Sequence, residues 1–174
     1  MVGTCKDRLA DAIARFGRVP IVKRTLIVRP EDLVGVHPDD RPYWASGGLV
    51  HDDARRVVLL RHAPTSRWGD AWVTPGGRLE EGETTVDGLR REVLEEVGLT
   101  VEDPSLTRIF YETLTDGARV RHGYFGQFVA RATPGDLRPG PDVREARWFD
   151  RLPDNLAFRE DYVEDFRRLR AARF

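Results

Sequence analysis

Three glutamates, Glu92, Glu95 and Glu96, stand within five residues of one another, with Glu83 nine positions before the first and Arg91 directly beside it. On a helix, at about 100° per residue, the three fall in one arc, largely away from the stripe made by Val86, Leu89, Val93 and Val97. Glu92 and Glu96 are one turn apart and repel each other, and all three sit at the wrong pole of the helix dipole. Arg91 is placed to pair with Glu95, but one guanidinium does not neutralise three carboxylates. A hard divalent cation, with its preference for carboxylate and water oxygens, would. Standing alone, such acids are ordinarily a solvated helix face. Here a glycine-rich turn, Pro75-Gly76-Gly77, precedes them, where the chain can bend sharply and bring backbone groups near. Metal-assisted attack of water on phosphate needs such a set: held cations, a carboxylate for the water, and arginines for the remaining negative charge.

The helix that must carry these acids is specified locally, over Thr85 to Val97. Thr84 is a good N-cap, Asp87 three residues on completes a capping-box-like pair, and Gly98 follows the last periodic residue as a C′ glycine should. Gly88 inside it costs about 1 kcal/mol against alanine, which predicts close approach to another backbone. Before the helix, Gly47–Val50 and Arg56–Arg61 predict a hairpin turning at Asp52-Asp53-Ala54, then a polar loop from Pro64 to Gly69 and Trp72-Val73-Thr74. After it, Leu106–Leu114 and Val120–Ala130 predict a second strand pair turning at Asp116-Gly117. A loop from Pro134 to Pro141, a short strand at Ala146–Phe149 and a closing helix over Glu160–Ala172 follow, with Tyr162, Phe166 and Leu169 inward. Upstream, Asp7–Phe16 has helical spacing with Gly17 as its stop, and Ile21–Val28 has the pattern of a strand. Turn-rich sequence through Pro30, Pro38, Asp39, Asp40 and Pro42 places a soft boundary near residue 40. Residues 1–40 are thus an extension of unassigned role and 41–174 the principal domain. Hairpin strands with helices on their faces predict an α/β (α+β) fold, a sandwich around a mixed sheet.

Composition narrows the classes. With 174 residues, 40% hydrophobic and 33% charged, the chain suits one folded domain with a polar surface, and disordered or low-complexity classes are excluded. Apolar runs are as short as Val57–Leu60, so no transmembrane helix is expected. Lys6, Asp7, Arg8 and Asp11 interrupt any signal-like stretch at the start. Cys5 is the single cysteine, which excludes an internal disulfide framework and a multi-cysteine zinc site, and the expected location is cytoplasmic. Of the 28 basic residues all but Lys6 and Lys23 are arginines, well matched to phosphate, while a net charge of −1 offers no general field for nucleic acid.

The segment Gly77 to Leu99 resembles the signature of the Nudix hydrolases, Gly-x5-Glu-x7-Arg-Glu-apolar-x-Glu-Glu-x-Gly-apolar, at every fixed position: Gly77, Glu83, Arg91, Glu92, Val93, Glu95, Glu96, Gly98 and Leu99. Nine positions at fixed spacing over 23 residues make a specific match, and the likeness extends over about residues 44–172. The resemblance implies a Nudix-type α/β/α sandwich that binds Mg²⁺ or Mn²⁺ and hydrolyses a nucleoside diphosphate linked to another group. By the same resemblance Glu92, Glu95 and Glu96 are metal ligands with the Gly77 carbonyl as a fourth, while Arg91 and Glu83 hold the segment in shape. The general base is a glutamate of the segment or a downstream acid, Asp142 or Glu145.

The expected substrate is a nucleoside triphosphate, oxidised or not, or a nucleotide sugar such as ADP-ribose. The branch markers are mostly missing: the proline that many ADP-ribose pyrophosphatases carry after this signature segment, the box, is absent, with Thr113-Leu114-Thr115 in that region. Arg61, Trp72 and Arg121 are candidates for substrate binding, with Trp68, Arg67 and Arg119 nearby; His62 and His122 are the histidines nearest the site, and His122 has the place of a sheet residue. The alternative is a non-catalytic regulator of this fold that senses a nucleotide. The N-terminal helix and strand suggest homodimer formation.

Overall fold

The computed structural model describes residues 5–33 and 42–172; the boundary near residue 40 and the turn residues Pro38, Asp39 and Asp40 lie outside them. In chain order come α1 (Cys5–Phe16), β1 (Ile21–Ile27), a 3₁₀ turn (Pro30–Leu33), β2 (Tyr43–His51), β3 (Val57–His62) and β4 (Gly76–Arg78). Then follow α2 (Thr85–Val97), β5 (Val101–Thr115), β6 (Val120–Ala132), β7 (Val143–Phe149) and α3 (Arg159–Ala171). The strands form one mixed sheet in the order β1-β5-β6-β2-β3-β7, with β4 paired to β2. β1 runs parallel to β5 and β2 parallel to β6; the other pairs are antiparallel.

Strand alternation sorts the core into two layers. Trp44, Val50, Val58 and Leu60 face α1 and α2, meeting Ala12, Val86, Leu89, Val93 and Val97. Leu49, Val57 and Leu59 face the other way, against Trp72, Leu152, Leu156 and Tyr162 of α3. Both faces are therefore covered, which is why Val57–Leu60 is apolar at every position. This is the expected α/β/α sandwich.

Residues 45–47 of β2 pair with β4, while Val50 and His51 pair with β3 on the same edge. The sheet forks there, and Gly76–Gly77 lie in the fork. The Pro75-Gly76-Gly77 turn of the sequence reading is thus partly a strand, too short to show any period. β5 also begins earlier than the expected Leu106. Asp103, in the left-handed region at φ 47°, and Pro104 interrupt the alternation, and the pairing with β6 shifts register across them. Gly88 is closely approached as expected, though by side chains: a Cβ there would lie 2.9 Å from Leu79 Cγ and 3.2 Å from Ser46 Oγ. Residues 5–33 belong to the same body, with Ala12 fully buried in the core and β1 hydrogen-bonded into the sheet. Among the described residues no helix is long and apolar enough to cross a membrane.

Candidate active site

α2 starts and stops as its sequence dictates. The Thr84 hydroxyl accepts from the Asp87 amide, the Asp87 carboxylate accepts from the Thr84 amide, and Gly98 closes the helix at φ 72°. The helix presents Arg91 to the loop in front of it. Arg91 Nε donates to Glu83 at 2.7 Å, Nη2 to Glu83 at 3.1 Å and to the Arg78 carbonyl at 2.9 Å, and Nη1 to Glu92 at 2.9 Å and Glu95 at 3.1 Å. All five guanidinium donors are used. Glu83 is held below the ordinary carboxylate range, chiefly by its Arg91 bonds. Arg8 of α1 adds bonds to the Glu80 and Glu83 carbonyls, so the N-terminal helix braces the same loop.

The three acids differ. The side chains of Glu92 and Glu96 are only 14% exposed, whereas Glu95 is 58% exposed and turned to Arg91. A solvated acidic face is excluded for the first two. A methyl group at Gly77 would overlap the Glu92 carboxylate, so the glycine is what lets β4 lie against it. Glu96 accepts the Gly76 amide at 2.9 Å, and His62 Nε2 lies 3.6 Å from its other oxygen. Burial pushes Glu96 up to about 8 against the pull of the Gly76 bond, with the charges of Glu92 and Glu95 adding to the rise. Burial likewise raises Glu92, opposed by Arg91.

Among the described residues no three acidic, histidine or cysteine groups converge as they would around a bound ion. The donor set nevertheless fits a hard cation. Two enclosed carboxylates whose charge is disfavoured by burial and by each other stand beside a strand with room for close approach. Glu95 would join them by leaving Arg91.

On the α3 side of the sheet, bordering Gly76 and Gly77, is a cavity of about 230 Å³ with Tyr43, Trp68, Phe125 and Phe158 among its walls. Arg24 of β1 lies in its lining, donating to Glu112 at 2.8 Å and to Asp161 at 2.6 Å. The guanidinium carbon is 3.9 Å from the Phe110 ring centroid and 4.7 Å from that of Phe158. The Tyr43 hydroxyl donates to the same buried Glu112, and burial raises it well above its ordinary value. No pointer in the sequence marks Arg24, Tyr43, Glu112, Phe125 or Phe158. β1–β5 and β2–β6 pairing brings the first four together and Phe158 joins them from the start of α3; the nearest signal is the strand pattern of Ile21–Val28.

Several expected site residues lie elsewhere. Trp72 is 5% exposed and packs edge-on against Phe149 in the α3-side core, so it is a core residue and not a stacking platform. Trp68 lines the cavity in its place. Arg61 follows Val57 and Leu59 in strand parity and lies over the Trp72 ring at 4.2 Å, near Glu145 at 3.8 Å, away from the box glutamates. Glu145 also pairs with Arg147 and sits opposite Arg61 in the β3–β7 register, on that same far side. Arg121, towards the β5–β6 turn, is outside the cavity lining. Asp142 is near the acids, because His62 Nδ1 is 3.1 Å from its carbonyl. His122 stacks on Tyr111 at 5.6 Å and is a sheet residue, as expected.

Residues 42–163 match the model of the NUDIX domain. The chain is 30% identical over 145 residues to an ADP-ribose pyrophosphatase of Methanocaldococcus jannaschii, covering 82% of this chain and 83% of that one. It is 34% identical over 91 residues to the Nudix hydrolase YvcI of Bacillus subtilis (47% of this chain, 56% of that one) and 32% identical over 118 residues to an 8-oxo-(d)GTP phosphatase of Mycolicibacterium smegmatis (66% and 34%). The chain thus spans about half of the Bacillus relative and a third of the Mycolicibacterium one. A crystal structure of a MutT NUDIX hydrolase from Burkholderia pseudomallei superposes with a TM-score of 0.58 at 25% identity, covering 71% of this chain and 99% of that one. With the box complete and its arginine and glutamates set around the fork of the sheet, the chain belongs to the Nudix family of hydrolases.

Proposed function

We propose that the chain hydrolyses the diphosphate linkage of a nucleotide with a bound divalent cation, Mg²⁺ or Mn²⁺. The observation that carries this is the pair of enclosed carboxylates, Glu92 and Glu96, packed against Gly77 and Gly76 at the edge of an aromatic cavity. Glu92, Glu96 and the Gly77 carbonyl would hold the cation, with Glu95 released to it from Arg91. When bound, the cation supplies positive charge to the phosphate oxygens. Arg91 and Glu83 keep the loop and the helix in register. The rings of Tyr43, Trp68, Phe125 and Phe158 suit a nucleoside, and Arg67 and Arg78 line the same cavity. The oxygen of water bonds to one phosphorus, the bridging P–O bond breaks, and the bridging oxygen leaves with the other phosphate. The proton of the water passes to a carboxylate. The candidates for this are a box glutamate and Asp142, whose carbonyl lies 3.1 Å from His62 Nδ1, while the pairing of Glu145 with Arg61 and Arg147 favours it less.

The test is release of nucleoside monophosphate or inorganic phosphate from a panel of nucleoside triphosphates, 8-oxo-dGTP and ADP-ribose, with and without Mg²⁺. Turnover abolished by chelator is expected. Nucleotide binding with no turnover would overturn the reading in favour of a sensor. If Asp142 is the base, Asp142→Asn lowers kcat by about 10²-fold with metal affinity little changed. Near-normal kcat leaves the role to the box. A homodimer through the N-terminal block is proposed on the edge strand β1, where Ile21, Val22 and Ile27 are exposed. A molar mass of one chain by light scattering would exclude it.

A further inference from the structure

We propose that Arg24 is a positioning residue for the substrate: from β1, outside the matched residues 42–163, it holds the Phe158 ring at the rim of the aromatic cavity, so that the N-terminal block sets nucleotide affinity. The inference rests on the hydrolase reading above.

Phe158 has a backbone that its side chain does not favour. It precedes α3 at φ 53° and ψ 33°, in the left-handed region that bulky residues rarely adopt, and its side chain caps no helix amide. The chain is fixed on both sides of it. The Ala157 amide donates to the Trp72 carbonyl at 2.8 Å, and Gln127 Nε2 donates to the Asp161 carbonyl at 2.9 Å. Strain of this kind persists where the surroundings over-determine it, and it gathers at ligand sites. Its product here is a ring that lines the cavity, edge-on to Trp68 at 5.9 Å, yet is 38% exposed. A ring so placed has surface to give to a nucleoside.

Arg24 supplies what the backbone lacks, a fixed direction for that ring. Its guanidinium carbon lies over the Phe158 ring at 4.7 Å, and Nη1 pairs at 2.6 Å with Asp161 in the first turn of α3. Arg24 is itself anchored in the sheet. It lies over Phe110 at 3.9 Å, and Glu112, opposite it in the β1–β5 register, accepts from its Nε at 2.8 Å. Glu112 is buried and also takes the Tyr43 hydroxyl, so Tyr43 and Phe158, two walls of the cavity, are joined through Glu112 and Arg24.

Arg24→Lys keeps a charge for the buried Glu112 but loses the planar fork that spans two acids and lies over two rings. Phe158→Gly removes the ring, and glycine adopts this backbone without strain. The measurement is kcat and KM of both variants and of the double variant, in the full chain with Mg²⁺. The substrate is whichever of ADP-ribose, ATP and 8-oxo-dGTP the unsubstituted chain turns over fastest. KM is expected to rise about 10-fold in each single variant, with kcat within about 3-fold of normal, and the double variant should match Phe158→Gly alone. A purely structural role for Arg24 would lower the folded fraction, and with it kcat, at constant KM. Constant KM in either single variant therefore overturns the proposal. So does a double variant in which the two effects on KM multiply, because Arg24 would then act independently of Phe158. An unsubstituted chain that hydrolyses none of the three overturns the hydrolase reading, and the proposal with it.

Discussion

Glu96 couples the chemistry of the site to the stability of the chain. Its pKa of about 8 in the metal-free fold lies above the ordinary 4.5, so between those pH values the folded chain binds a proton that the unfolded chain has released. Stability must then fall as pH rises through that window. Glu83 and Asp87 are shifted downwards, so their contributions change only below about 4.5 and do not mask it. In chelator, Tm should drop by roughly 5 °C between pH 5 and pH 8, and Glu96→Gln should lessen that slope, leaving the share of Glu92, whose carboxyl burial also raises; the variant should match the unsubstituted chain at pH 5 and exceed it at pH 8. A parallel slope in the variant would assign the effect to other groups. Gly77 gives a second test at this scale. Gly77→Ala drives a methyl into the Glu92 carboxylate, whose end can swing away. Turnover should fall about 10²-fold or more and the Tm gain on adding Mg²⁺ should vanish, with metal-free Tm little changed. A retained Mg²⁺ gain would remove Glu92 from the ligand set.

The box helix works as a unit because its ends are fixed by its own sequence. Thr84 and Asp87 exchange both bonds of a capping box, and Arg91, two turns into the helix, ties it back to Glu83 in the loop. Thr84→Ala removes one cap and leaves the Asp87 carboxylate without the hydroxyl that holds it low. The expected cost is about 1 kcal/mol, roughly 3 °C in Tm, with kcat within about 3-fold of normal since Arg91 still sets the register. A collapse of kcat at an intact Tm would mean that the cap, and not Arg91, positions the acids.

Across the whole molecule, the N-terminal block is built into the domain. α1 buries Ala12 fully, sets the Phe16 ring edge-on to Phe128 at 5.8 Å, and donates from Arg8 to the loop that carries Glu83. β1 brings Arg24 to the cavity. Removal of residues 1–18 should therefore lower Tm by roughly 10 °C, from lost apolar burial, and slow turnover through the loosened Glu83 loop. An unchanged Tm in differential scanning calorimetry would make α1 a dispensable appendage.

The local rules were legible in the chain itself. Thr84, Asp87 and Gly98 bound α2, Val86, Leu89, Val93 and Val97 turn it, and the spacing of Glu92 and Glu96 sets one charge above the other. All of these act within a few residues, where propensity and hydrogen bonding are decided by sequence neighbours. Tertiary structure decided which acids are enclosed, since Glu95 and Glu96 are adjacent yet only the second meets Gly76 and His62. It also decided that Trp72 belongs to the core and Trp68 to the cavity, and that Arg61 and Glu145 face away. A strand residue's face is set by the partner strand's register, and the partners here lie tens of residues away. The cavity is the clearest case. Arg24 and Glu112 meet only because β1 and β5 pair in parallel, a contact between distant segments that no local pattern in either one encodes.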